Sequence, residues 1–180
     1  VIILFGFGGM VIFAMLTLRR GEAVFPRAIL SRPMLLRSGF EVTGRLFYAL
    51  AITLTPLSVA SAILQATPLV VVAGAAVIFG EVVGWRRWAA IVAGFGGVLL
   101  IIRPGLEGFD ALSILTVIGL IGFAGRDLAT RAAPPALSNM QLGVAGFAML
   151  SLAGLVILLV NGDYGVPDAR GLGLVAGATV

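Results

Sequence analysis

The run SVASAILQATPLVVVAGAAVIF, Ser58 to Phe79, carries no charged residue and stops at Gly80-Glu81. A helix needs roughly 20 mostly apolar residues to cross the hydrocarbon layer of a membrane, and this run has that length. The rest of the chain is built the same way. It is 60% hydrophobic and 11% charged, with a mean hydropathy of +1.15, whereas soluble domains run near a quarter charged. No water-soluble surface can be made from that mixture. Lipid tolerates only helices or closed barrels, because every backbone N–H and C=O must be satisfied internally, and the alternating pattern of a barrel is absent. The fold class is therefore all-α, a polytopic helical membrane bundle of about seven spans.

Outward from that run, the spans follow one another with short breaks. A first run, Val1 to Leu18, closes at Arg19-Arg20, and a basic linker with Pro26 and Pro33 occupies Gly21 to Arg37. The second span goes from about Ser38 to Thr55 and ends at Pro56. After the third, a tight turn leads to Trp85-Arg86-Arg87-Trp88, an arrangement favoured at a membrane–water interface, and the fourth span reaches Ile102. The fifth covers roughly Ala111 to Arg131 and the sixth Asn139 to Val160, separated by Pro134-Pro135. A polar loop, Asn161 to Arg170, precedes a further run from Leu172 to Val180 that begins without finishing. Val1 also sits inside a run, so the expectation is a fragment of a longer polypeptide.

Histidine and cysteine are both absent from this stretch, which disfavours disulfides, thiol nucleophiles and the usual zinc ligands. No cofactor is expected. The basic residues are all Arg, and their distribution explains the high pI without nucleic acid. Arg19, Arg20, Arg27, Arg32, Arg37, Arg86, Arg87, Arg126 and Arg131 fall on one side of the membrane, and Arg103 and Arg170 on the other with Glu107, Asp110, Asp163 and Asp168. Nine against two makes the first side cytoplasmic, so the loops 19–37 and 81–87 are expected inside the cell.

Ionisable groups within spans cost about 2.5–3.5 kcal/mol each at mid-span and persist where they face protein or water. Arg37, Glu41 and Arg45 are spaced i, i+4, i+8 on one face of the second span, and a Glu four residues before an Arg is the favourable order for pairing. Asp127 and Arg131 repeat that spacing in the fifth. From the helical rise, Arg45 lies about 10 Å and Arg126 about 7 Å inside the cytoplasmic ends of their spans. These groups are candidates for a cytoplasmic gate or a charged vestibule, with Glu41 and Asp127 as proton carriers. The bland alternative is that the Arg side chains snorkel to the interface while the carboxylates pair with them.

The uncharged candidates are Gln65, Thr67 and Pro68 in the middle of the third span, with Tyr48 a weaker one near Arg45. Pro68 removes a backbone donor and frees a carbonyl one turn earlier, near Leu64. Transporters often place substrate sites at such interrupted helices; the alternative is a tolerated kink with Gln65 bonded to a neighbouring helix. Ala89, Ala93 and Gly97 recur every fourth residue, which reads as a close-packing face. Gly6, Gly8 and Gly9 lack the preceding strand and the spacing of a nucleotide loop.

Over Pro56 to Phe109 the chain resembles the drug/metabolite transporter superfamily, specifically its EamA-like branch. The matching residues are Pro56-Leu57-Ser58, Ala66-Thr67-Pro68-Leu69, Gly80-Glu81-Val82-Val83-Gly84-Trp85-Arg86-Arg87-Trp88 and Gly94-Phe95-Gly96-Gly97-Val98 through Arg103-Pro104-Gly105. The resemblance implies ten helices in two inverted five-helix repeats, with both termini cytoplasmic and transport by alternating access. Residues 1–104 would then be helices two to five of the first repeat, and 105–180 helices six, seven and the start of eight. It also implies a solute carrier in a bacterial inner membrane, an exporter of a small organic metabolite such as an amino acid, with a homodimer known among relatives. The Gly80-Glu81 and Arg86-Arg87 signature sits at the cytoplasmic turn and reads as structural and topogenic. The competing readings are a non-transporting scaffold or assembly subunit, and an intramembrane enzyme. The enzyme is disfavoured because there is no histidine and no two Asp converge on one span.

Overall fold

The computed structural model describes residues 2–102 and 112–161, together with positions 173 and 177. Among these residues there is no strand. The helices are α1 (Ile2–Arg19), a short 3₁₀ turn (Arg27–Leu30), α2 (Arg32–Leu54), α3 (Leu57–Leu64), α4 (Thr67–Phe79), α5 (Trp85–Ile102), α6 (Ser113–Arg131) and α7 (Asn139–Asn161). Among the described residues four segments are apolar and long enough to cross a membrane: Ile2–Arg19, Leu57–Phe79, Ser113–Arg131 and Asn139–Leu159. The chain is thus a helical membrane bundle, as its composition requires. The loop beyond Ile102, with Arg103, Glu107 and Asp110, lies outside the described residues. So do Asp163, Asp168, Arg170 and the surroundings of the last run.

Two boundaries differ from the sequence expectation. Arg32 to Arg37 is helix rather than linker, because the Ser31 carbonyl accepts the first helical bond, from Leu35 N–H at 2.9 Å. Pro33 then falls in the first turn, where its missing N–H has no intrahelical partner to lose. The third span is two helices, α3 and α4, interrupted at Gln65-Ala66, and not one kinked rod. Other ends follow local chemistry. α2 stops before Thr55-Pro56, since a residue preceding proline avoids the helical region. α4 ends on Gly80 at φ 66°, a left-handed cap that glycine adopts without a Cβ clash.

The helices fall into two compact units. One contains residues 1–42 and 132–180. In it α1 lies along α7, and the two backbones approach so closely that a Cβ on Gly6 would meet Ser151 N at 2.8 Å. Phe147 of α7 fills the contact, its ring 5.9 Å from Phe5 and 5.4 Å from Phe13. Gly6 and Gly9 are therefore packing residues, in keeping with the dismissal of a nucleotide loop. Met34, Leu137 and Ala145 form the buried apolar cluster beneath the α1–α2 connection.

The other unit is residues 43–131. Val71 and Ala75 of α4 pack on Ala124 and Leu128 of α6, and Ile63 of α3 with Ala66 packs on Leu120. The second half of α2 joins through small residues: a Cβ on Gly119 would lie 3.2 Å from Tyr48 N, and one on Gly44 3.1 Å from Phe123 N. α5 meets α4 at Gly94, beside the Leu69 side chain. The small-residue face of α5 departs from the expectation of close packing. Ala89 and Ala93 are exposed, and among the described residues nothing lies within 4 Å of a Cβ built on Gly97.

Candidate functional site

The break between α3 and α4 lies about 12 Å along the Leu57–Phe79 segment, near the middle of a hydrocarbon layer roughly 30 Å thick. Its hydrogen bonding can be followed atom by atom. Gln65 N–H donates to Ser61 O at 3.2 Å and Ala66 N–H to Ile63 O at 3.0 Å. Leu69 and Val70 both donate to Ala66 O, at 2.9 and 3.2 Å. Pro68 has no N–H to give Leu64, and the Thr67 hydroxyl donates to that carbonyl instead. The carbonyl expected to be freed near Leu64 is therefore capped by a side chain from the same turn.

Two acceptors are left over. An unbroken helix would direct Ala66 N–H to Ala62 O and Leu69 N–H to Gln65 O, and both amides have turned to other carbonyls. Among the described residues no donor reaches Ala62 O or Gln65 O. Unsatisfied backbone at membrane depth is tolerated only inside protein or along a wet cavity. Ala62 and Gln65 adjoin an open cavity of about 250 Å³ lined by Ala62, Gln65, Ala66, Leu69, Gly94, Gly97 and Val98. Gln65 is exposed, and its carboxamide makes no hydrogen bond among the described residues. The wall opposite the break is the glycine face of α5.

The sequence candidates fall in different places. Gln65 lines the cavity, and Thr67 and Pro68 make the break that shapes it. Tyr48 is not among the lining residues; its ring packs edge-on against Phe123 at 6.2 Å. Glu41 is only 2% exposed and pairs with Arg37 at 3.8 Å, while Arg45 lies one turn further along α2 and is half-buried.

The pairing expected between Asp127 and Arg131 does not form. Asp127 accepts from its neighbour Arg126, with Nη2 at 2.7 Å and Nε at 2.8 Å, and the Arg126 guanidinium stacks over Phe123 at 5.4 Å. Arg131 pairs with Glu81 at 3.1 Å, tying the end of α6 to the turn after α4. An adjacent Arg folded back on its own ring neighbour satisfies Asp127 locally, and Arg131 is left to reach across.

One polar cluster escaped the sequence reading. Ser138 and Gln141 form a capping box at the start of α7: Ser138 N–H donates to Gln141 Oε1 at 3.0 Å, and Gln141 N–H to Ser138 Oγ at 3.3 Å. Both side chains also hold the α1–α2 connection. Ser138 Oγ donates to the Glu22 carboxylate, and Gln141 Nε2 to Ala23 O at 2.8 Å. The Ser-x-x-Gln pattern was legible as a helix start. Its partners, more than a hundred positions away, left no local signal.

Interrupted helices near mid-depth recur at the substrate sites of secondary transporters. The chain belongs to the EamA-like transporter family, whose family model matches residues 1–103. It is similar to a riboflavin transporter of Rhizobium johnstonii, 27% identical over 87% of this chain and 47% of that protein. It is also similar to an S-adenosylmethionine uptake transporter of Rickettsia prowazekii, 28% identical over 54% of this chain and 34% of the relative. The chain thus spans about half the length of the first of these and about a third of the second. No solved structure matches it.

Proposed function

We propose that the protein of which this chain is a part is a secondary transporter of a small organic metabolite, working by alternating access, and not an enzyme. The observation that carries this reading is the broken third span, with the exposed Gln65 and two backbone acceptors beside a cavity at mid-membrane depth. Riboflavin and S-adenosylmethionine, named for two relatives, both carry a fused heteroaromatic ring, which favours a solute of that kind over a plain amino acid.

Export is the direction the sequence resemblance suggests. Uptake is the second reading, favoured by the name of the Rickettsia relative. The Arg distribution supports cytoplasmic placement of loops 19–37 and 81–87, and the bacterial relatives support the inner membrane. Residues 1–104 and 105–180 are proposed as parts of two inverted repeats. The buried Glu41 is the proposed proton carrier, with Arg126 and Asp127 as a paired element of a cytoplasmic gate; a homodimer is the proposed assembly.

The test is flux of labelled metabolites through the full-length protein in proteoliposomes, in both directions and with and without a pH gradient. A carrier loses flux on Gln65→Ala while inserting normally. A scaffold moves no solute, and its stability is indifferent to the change.

A further inference from the structure

We infer that the cavity at the α3–α4 break is a subsite for a planar, uncharged ring bearing N–H donors, held edge-on by the carbonyls of Ala62 and Gln65 and by the Gln65 carboxamide. This rests on the transporter reading above and assigns the chemistry of that site. The break leaves main-chain acceptors without donors at mid-membrane depth, where each uncompensated group is costly, and donors from a solute or from water are what they require. The Thr67 amide also has no acceptor among the described residues, its helical partner Ile63 O being taken by Ala66 N–H, but Thr67 does not line the cavity. The unpaired main-chain groups at the cavity wall are therefore acceptors.

Gly94 is covered by the Leu69 side chain, but Gly97 has open space around its Cβ, so at that position the wall is bare backbone against which a flat ring can lie. None of the lining residues is ionisable, so the part of the solute that enters is neutral. A volume of about 250 Å³ is below the usual range of pockets that enclose a drug-sized ligand, and it fits one ring system with the remainder of the molecule outside. A metal cation fits less well, because the break presents too few oxygens for the six to eight that hard cations take.

The experiment measures flux by the full-length protein in proteoliposomes for matched pairs: adenosine against N6,N6-dimethyladenosine, and riboflavin against N3-methylriboflavin. The first pair differs in the N–H donors of the exocyclic amino group on the ring, and the second in the ring N3–H. Transport of a donor-bearing solute should fall about tenfold or more on methylation, as expected when an acceptor site loses its partner. Gly97→Leu should abolish it, since that side chain fills the cavity from a position with open space around its Cβ. Normal insertion of Gly97→Leu, read by Tm and by protease accessibility, separates blockage from misfolding. Equal transport of both members of each pair, or full flux in Gly97→Leu, overturns the subsite and leaves the carrier standing. Dependence on a sodium gradient without discrimination within the pairs overturns it in favour of an ion site. Absence of flux for every member of the panel overturns the carrier reading and this one together.

Discussion

The hydroxyl of Thr67 donates to the carbonyl of Leu64, the acceptor that Pro68 leaves without a backbone donor. Proline and threonine at adjacent positions act as a unit: one opens the helix and the other closes the part of the opening that would serve no purpose. Thr67→Val should therefore lower the stability of the full-length protein by about 1 kcal/mol or more, the cost of a half-buried carbonyl left bare. Thr67→Ser should retain most of it. Reversible unfolding in mixed micelles reads both.

The approach of α1 and α7 predicts a steep response to side-chain volume. A Cβ on Gly6 meets backbone atoms of α7, which cannot rotate away. Gly6→Val should cost about 1–3 kcal/mol or more through overpacking and depress the yield of folded protein. Gly39→Ala, in α2 with open space around its Cβ, is the control, and should be neutral or slightly stabilising. Fluorescence-detected size exclusion after graded heating compares the two.

Two ion pairs of similar chemistry should differ in weight. Glu81 and Arg131 are about half exposed, and a double-mutant cycle on them should return less than about 1 kcal/mol, falling further with salt. Glu41 is buried with Arg37, and Glu41→Ala should cost about 3–5 kcal/mol, because it leaves a charge in a desolvated place. Comparable losses at the two sites would contradict the burial assigned to Glu41.

Ser138 serves two bonds at once, the α7 cap and the Glu22 carboxylate. Ser138→Ala should cost about 1 kcal/mol from the cap alone, and hydrogen exchange should speed up both in the first turn of α7 and around Glu22 and Ala23. Faster exchange in α7 alone would show that the long-range contact carries no weight.

The membrane class, the order of spans and a proline irregularity in the third span were legible because apolar length and proline are local signals. The full split at Gln65-Ala66 was not, and the carbonyl expected to be freed at Leu64 is capped by Thr67 while those of Ala62 and Gln65 are left over. What was not legible depends on partners distant in sequence. Spacing alone paired Asp127 with Arg131, but Phe123 draws Arg126 into reach of Asp127, and the fold brings Glu81 to Arg131. The start of α2 was placed six residues late because Pro33 reads as a breaker unless it is known to occupy the first turn. Ala89, Ala93 and Gly97 carry a packing signature, yet the contact falls on Gly94, and Gly97 faces open space. Small residues indicate where something can come close without saying whether it is a helix or a solute.

The acceptors at the α3–α4 break are main-chain atoms, and no single substitution deletes them. A mutation can reshape the wall, at Leu69, Gly94, Gly97 or Val98, or exchange the carboxamide at Gln65, while the carbonyls of Ala62 and Gln65 persist for as long as Pro68 and Thr67 hold the break. On the transporter reading proposed above, selection for a new solute would act on wall residues one at a time without dismantling the main-chain part of the site. Such a division would separate what must be inherited intact from what is free to drift, and would give the scaffold a physical route to diverse cargo.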